Sequence, residues 1–163
     1  MAPIRIPSLT ITGVTVYVTR IPVRIKRRHG SGDIEGSVQN AILKLETDAG
    51  IAGWGDAAPW AVFTGTIEAN AAALHVYLRP ILMGADPTRI EDLLDKANHA
   101  VVGHPEAKAA MEMALFDIVG QAAGLPVAVS AAVSEARPDF GDWNGFSFDA
   151  PRKPGDDGNS DDE

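Results

Sequence analysis

The chain of 163 residues carries 22 acidic against 14 basic side chains, a net charge of −8, and is 45% hydrophobic with no cysteine. That apolar content is enough for the core of one ordinary domain, whereas the acidic balance argues against general binding to nucleic acid or to an anionic membrane, both of which draw on a surplus of Lys and Arg. The lack of cysteine excludes disulfides, thiolate metal sites and a cysteine nucleophile, and fits a cytoplasmic protein. Residues 1–7 lack the apolar core of a secretion signal, and no uninterrupted apolar run approaches a membrane span.

The first element is a strand over 10–19, where Val14, Val16 and Val18 alternate with Thr15, Tyr17 and Thr19, and Pro22 closes it. The next stretch holds Lys26, Arg27, Arg28 and His29 followed by Gly30, Gly32 and Gly36, too polar and Gly-rich for core, and is expected to be a mobile loop. A second strand over 38–47 places Ala41, Leu43 and Leu45 on one side, and Asp48-Ala49-Gly50 supplies turn chemistry before a third strand at 51–55. After Trp54 the composition changes to Gly55, Asp56, Pro59, Trp60, Phe63 and Gly65, an aromatic and Gly/Pro-rich segment read as a second, ordered loop.

Helices come next. Thr66 is placed to cap one whose Ile67, Ala71, Leu74 and Leu78 form a stripe, with Pro80 expected to end it. Asp86 and Pro87 have the cap and first-position signature of a second helix with Ile90, Leu93, Leu94 and Ala97 on its apolar face. Pro105 opens a third, in which Ala107, Ala110, Met111, Ala114, Leu115 and Ile118 repeat at helical spacing until Gly124 and Pro126. Beyond Val133 the pattern is lost: residues 134–163 hold nine acids against three bases, are rich in Pro, Gly, Asp and Asn, and are expected to be disordered. The fold class is therefore α+β, a three-stranded antiparallel meander followed by about three helices, with an acidic C-terminal tail.

That order of elements names no family, but three segments are more specific. Residues 46–60, Glu-Thr-Asp-Ala-Gly-Ile-Ala-Gly-Trp-Gly-Asp-Ala-Ala-Pro-Trp, resemble the E-T-D-x-G-I-x-G-x-G-E-A stretch of the mandelate racemase/muconate-lactonizing family of the enolase superfamily. Residues 79–87, Arg-Pro-Ile-Leu-Met-Gly-Ala-Asp-Pro, resemble its L-x-P-x-L-x-G-x-D-P segment. Residues 103–127, from Gly-His-Pro-Glu-Ala-Lys-Ala-Ala through Met-Ala-Leu-Phe-Asp-Ile-Val-Gly to Gly-Leu-Pro-Val, are similar to its A-x-x-A-x-(D/E)-x-A-L-x-D-x-x-G-K-x-x-G-x-P-V helix, in a variant reminiscent of hydroxyproline dehydratases and betaine epimerases. Asp56 stands where the family usually has Glu, and Gln121 where it usually has Lys.

The resemblance implies an enolase-like N-terminal capping domain over residues 8–127, and a truncated or frameshifted tail over 128–163, with a natural acidic extension as the alternative. It implies that a full-length relative is a racemase or epimerase, cycloisomerase or dehydratase that abstracts the proton beside a carboxylate with Mg²⁺ bound, and that its base and metal ligands lie in a (β/α) barrel beyond the matched segment. On this reading the present chain holds no catalytic residue and no metal ligand, is inactive alone, and has as partners the missing barrel and a small carboxylate substrate, with a homo-oligomer also open. Two loops, 25–36 and 54–64, are expected to cover the barrel mouth, with His29, Trp54, Trp60, Phe63 and Thr64 as substrate-capping residues. Trp54 packed under the sheet and His29 in a solvated loop are the plain alternatives. His75, His99 and His104 lack metal-ligand spacing, Gly53 and Gly55 lack the third glycine of a dinucleotide fingerprint, and Asp117 is expected to accept a hydrogen bond that fixes its helix to the domain. A second functional class stays open: a stand-alone interaction domain that binds a partner through its exposed barrel-facing surface.

Overall fold

A computed structural model of the chain describes residues 6–30 and 32–128. The expected acidic tail lies outside these residues, apart from Ala128. Alternation of apolar and polar residues produces three long strands, β1 (Ile11–Pro22), β4 (Ser37–Thr47) and β5 (Ala52–Ala57), paired antiparallel in the order β1-β4-β5. The β4–β5 connection turns at Gly50, whose φ of 76° suits a residue without Cβ, and the turn is tied back when Asp48 Oδ1 accepts the Thr10 N–H at 2.9 Å. Ala41, Leu43 and Leu45 are fully buried on the inner face. Along β1 the cover thins: Val14 is buried, Val16 half-buried, and Val18 55% exposed, so the sheet outruns its helices toward Pro22.

The loop expected between the first two long strands contains a second, smaller sheet: β2 (Arg27–His29) pairs antiparallel with β3 (Gly32–Ile34). Strands of three residues with polar side chains on both faces carry no readable period, so they had no signal in the sequence. Their pairing is reinforced by charge, because Lys26 Nζ lies 2.7 Å from Asp33 Oδ2 and 2.8 Å from Glu35 Oε2.

On the helical side, Thr66 caps α1 (Ile67–Ala72) by accepting the Ala69 N–H at 3.3 Å. Pro80 does not end the helix, contrary to expectation. The chain widens into a π-helical segment, Ala73–Leu78, where the Arg79 N–H reaches the Leu74 carbonyl, and continues as α2 (Arg79–Leu82) with Pro80 in its first turn. A proline ring has no N–H and crowds the preceding turn of an ordinary α-helix; at the start of a new turn it meets neither penalty. Asp86 and Pro87 likewise do not start α3 (Ile90–Ala100): Asp86 Oδ1 instead holds Thr88 N–H at 2.9 Å and Thr88 Oγ1 at 2.8 Å in a preceding turn, and Arg89 takes the N-cap position. The last helix, α4 (Pro105–Ala123), buries all six residues of its expected stripe and ends at Gly124 in the left-handed conformation.

Two features lock α4 to the rest. His104 precedes it with φ 52° and makes no capping bond, but Asn70, fully buried on α1, accepts the Ala107 N–H at 3.1 Å while donating to the Thr66 carbonyl at 3.1 Å. A side chain from another helix thus satisfies one of the orphan donors of the first turn. At the sheet, Gly53 and Gly55 let β5 lie directly on α4; a Cβ on Gly55 would overlap the Ala110 carbonyl, and one on Gly53 the Ala114 carbonyl. Asp117 then accepts the Trp54 N–H at 3.0 Å, and Gln121 Nε2 donates to the Ala52 carbonyl at 2.8 Å and to Asp117 Oδ1 at 3.0 Å.

Candidate functional site

The site is assembled at the end of the sheet where β5 leaves it. After Ala57 the chain makes a tight loop over 58–65 in which the Trp60 carbonyl accepts both the Phe63 N–H at 2.8 Å and the Thr64 N–H at 2.9 Å, while Thr64 Oγ1 accepts the Trp60 N–H at 3.3 Å. This internal bonding orders a segment that has little core to lean on, and it places the Trp60 and Phe63 rings 4.9 Å apart. Across from it, the tip of the β2–β3 hairpin brings the His29 ring to 5.2 Å from Trp60 at an interplanar angle of 65°, an edge-on arrangement that favourably pairs a ring edge with a π face. Gly32, opposite His29 in the hairpin, also faces Trp60.

Of the five residues singled out from sequence, the structure therefore brings His29, Trp60, Phe63 and Thr64 into one cluster. Phe63 is 65% exposed and His29 and Thr64 are exposed, whereas Trp60, held between its neighbours, is half-buried. Trp54 stands apart. It belongs to β5 rather than to the loop, and its side chain is on the outer face of the sheet, neither under it nor in the cluster: it stacks on Tyr17 with ring centroids 6.3 Å apart, and Lys44 Nζ lies 5.6 Å from its centroid. Strand alternation forces this, since Gly53 and Gly55 on either side face α4.

Two polar contacts of this region were not expected from the sequence, although Asp56 and Lys26 were each noted there. Asn40 Nδ2 donates to both carboxylate oxygens of Asp56, at 3.0 and 2.8 Å, and so fastens β4 to the last turn of β5 just below the 58–65 loop. Asn40 and Asp56 are diagonal neighbours on adjacent strands, and that register is not written in either segment alone. The second element is the Lys26 clamp, in which the Lys26 ammonium donates to the carboxylates of Asp33 and Glu35, and these bonds, that to Asp33 first, hold its pKa above the ordinary lysine value.

The cluster offers two aromatic faces, an imidazole and a ring of exposed loop backbone, which suits covering and orienting a small molecule. Among the described residues no group of three or more His, Cys, Asp or Glu is placed to hold a metal ion, and Asp56, the carboxylate nearest the loop in sequence, is engaged by Asn40. No helix of the described residues is long and apolar enough to cross a membrane.

Comparison with known proteins places this architecture. Residues 11–129 match the model of the mandelate racemase/muconate lactonizing enzyme N-terminal domain. The N-succinyl-L-Arg/Lys racemase of Bacillus cereus is 34% identical over 120 residues, 73% of this chain and 32% of the racemase. The cis-3-hydroxy-L-proline dehydratase of Roseibium aggregatum is 29% identical over 149 residues, 88% of this chain and 39% of that enzyme. Among solved structures, the dipeptide epimerase of Enterococcus faecalis, complexed with Mg and the dipeptide L-Leu-L-Tyr, superposes with a TM-score of 0.69 at 29% identity, covering 72% of this chain and 33% of that one. The matched part of the chain thus spans from a quarter to two fifths of the length of these curated relatives, 25% of an L-Ala-D/L-Glu epimerase from Bacillus subtilis and 39% of the dehydratase. The triple motif, the meander and helices, and the matched residues agree: the chain belongs to the mandelate racemase/muconate lactonizing enzyme family and carries its N-terminal domain.

Proposed function

We propose that this domain is the cap of a Mg²⁺-dependent enzyme that removes the proton beside the carboxylate of a small substrate, in a racemisation, epimerisation, cycloisomerisation or dehydration. The observation that carries the reading is the meeting of two separate loops at His29, Trp60 and Phe63, a small ordered apolar lid at one end of a sheet whose inner face packs against the helices. The relatives named above are epimerases, racemases and dehydratases, and one of them was crystallised with Mg and a dipeptide.

In this reading the metal's ligands and the proton-abstracting base belong to the barrel half of such an enzyme, and this domain's part is to cover, orient and dry the substrate. A lid of this kind works by excluding water and by fixing the distal part of the substrate, so that the reacting carbon is held in place. Trp60 and Phe63 supply the apolar cover, and Thr64 holds the loop backbone in the shape that presents them.

Solvent exchange of the substrate α-proton measures the proposal. The purified chain with Mg²⁺ is expected to show no exchange on N-succinyl-arginine or on dipeptides. Residues 8–127 grafted in place of the cap of the Bacillus cereus racemase are expected to restore exchange to its barrel half, and the Trp60→Ala, Phe63→Ala double variant of the graft to raise KM more than it lowers kcat. Exchange by the chain alone would end the claim of inactivity; a folded graft no more active than the barrel half would end the claim of a cap.

A second reading, a stand-alone interaction domain, has one observation in its favour: Ile25, Val62, Phe63 and Val102 are exposed large apolar side chains. A defined complex of the chain in sedimentation, combined with an inactive graft, would favour it.

A further inference from the structure

Two stretches of the chain are opposite in charge and alike in carrying apolar side chains. Half of the ten Lys and Arg in the described residues fall between Arg20 and Arg28, a stretch without an acid, and its Ile21 and Ile25 are 46% and 75% exposed. At the root of the hairpin, Arg24 and Arg27 line a cleft walled by Ile25, Ile34 and Val38. Neither guanidinium has an ion-pair partner among the described residues, whereas Lys26, Lys44, Arg89 and Lys96 are each held by carboxylates. Arg28, opposite Asp33, alternates with Arg27 to the other face of the hairpin. The second stretch lies past Ala128, where residues 134–163 hold nine acids against three bases. Between Arg137 and Arg152 there is no base, and of the chain's three Trp, two Tyr and five Phe, four fall close together there: Phe140, Trp143, Phe146 and Phe148. Three of these adjoin a carboxylate, since Asp139 precedes Phe140, Asp142 precedes Trp143 and Asp149 follows Phe148.

We propose that residues 139–149 of this same chain dock on the hairpin cleft, an aromatic ring lying between Ile25, Ile34 and Val38 and its neighbouring carboxylate on Arg24 and Arg27. Ring and walls leave water together, and a guanidinium both pairs with a carboxylate through parallel N–H bonds and stacks on an aromatic face. The cleft and the segment therefore match in two independent respects, apolar surface and charge. The segment also reaches. The end of α4 lies beside Ala52, which pairs with Glu46, and the hairpin begins where Ser37 pairs with Pro22. From Glu46 to Ser37 the strand is about 30 Å long, and the chain from Ala128 to Asp142 can span up to about 45 Å. Tethering holds such a segment near its site at roughly millimolar effective concentration, so a contact that is weak between free molecules is well populated within one. Seated there, the segment covers the exposed apolar and cationic side chains of the hairpin, and anything else that approaches that face must displace it. The proposal does not depend on the cap reading above.

Because the chain has no cysteine, Ala150→Cys gives it a single thiol, and a nitroxide attached there reports what residues 139–149 approach. In the isotope-labelled full chain the nitroxide is expected to broaden the amides of residues 23–27 and 34–38 and to leave those of residues 91–99 on α3 unchanged. Arg24→Gln with Arg27→Gln, and separately Asp142→Asn with Asp149→Asn, should each weaken docking about tenfold or more, the scale of a lost charged hydrogen bond. Trp143→Ala should weaken it by a similar factor through the lost ring, and Arg28→Gln, the same loss of charge on the other face, by less than about twofold. Absence of broadening at the hairpin in a chain with a dispersed, folded spectrum would overturn the proposal, as would broadening spread evenly over the hairpin and α3. Equal effects of Arg28→Gln and of the Arg24, Arg27 pair would reduce the contact to general charge attraction and also overturn it. Mixing the nitroxide-bearing chain with an isotope-labelled chain that lacks the thiol decides the occupant: broadening as strong as within one chain would assign the cleft to a second copy and end the intramolecular reading.

Discussion

The seam between β5 and α4 and the lid at the far end of the sheet are built from opposite materials. At the seam, backbone lies on backbone: Gly53 and Gly55 bring the strand onto the Ala114 and Ala110 carbonyls of α4, and Asp117 and Gln121 bond the strand directly. At the lid, contact is made by aromatic rings with centroids 4.9 to 5.2 Å apart and by exposed ion pairs. The seam tolerates nothing new, because two backbones cannot move apart without opening the core; the lid tolerates a great deal, because its parts touch solvent and one another. A rigid platform thus lies under an adaptable cover.

The contrast can be broken most severely by adding one methyl group. Gly55→Ala places a Cβ on the Ala110 carbonyl and should cost about 3 kcal/mol, the upper end for overpacking, whereas Gly30→Ala, with open space around it, should cost about 0.5 kcal/mol or less; denaturant midpoints of the two variants decide the matter. Next in size, Asn70→Ala strips α4 of its borrowed cap and leaves the Ala107 N–H buried without a partner, for about 2 kcal/mol. Removal of the Asp117 carboxylate by Asp117→Ala frees the Trp54 N–H at a more exposed position and should cost about 1 kcal/mol, with faster amide exchange at Trp54 than at Leu43 in the central strand. Trp60→Ala should shift the midpoint by about 0.5 kcal/mol or less, yet change the His29 ring resonances, which separates local from global effects.

The smallest effect is electrostatic. Bonds that the Lys26 ammonium donates to Asp33 and Glu35 raise its pKa, so their contribution is fully present below the ordinary lysine value and is lost as pH rises through the raised one. The Lys26 Cε resonance should titrate above that of a lysine model compound, and Asp33→Asn with Glu35→Gln should return it there; added salt should shrink the difference, since all three groups are exposed.

Much of the platform was legible because its periods are long and strict. The six-residue stripe from Ala107 to Ile118 and the alternation of Ala41, Leu43 and Leu45 each have one solution, and the structure buries them all. The π-helical segment escaped notice because a shift of one hydrogen bond at Ala73–Leu78 leaves Leu74 and Leu78 on the inner side, so the apolar pattern looks the same with or without it. Asp86 and Pro87 misled because the residues of a helix cap are also those of a turn. At the lid, Trp60 and Phe63 were recognised by composition, but their contact with His29 depends on the hairpin, whose two short strands leave no pattern. Trp54 was read both in the third strand and at the start of the covering loop; the structure keeps it in β5, and the glycines on either side are the points where the strand touches a helix.

The bonds that Asp117 and Gln121 make to β5 have a consequence for how this sheet meets other copies of itself. Among the described residues β5 is one rim of the sheet and β1 the other, and an unsatisfied rim is a template for further strands. At β5 the Trp54 amide and the Ala52 carbonyl are already taken by side chains from above, so a newcomer must displace both before it can add on that side. Fibril growth needs two receptive rims, and here one is closed by chemistry that also holds the fold together, which makes loss of Asp117 a route to aggregation as well as to lower stability.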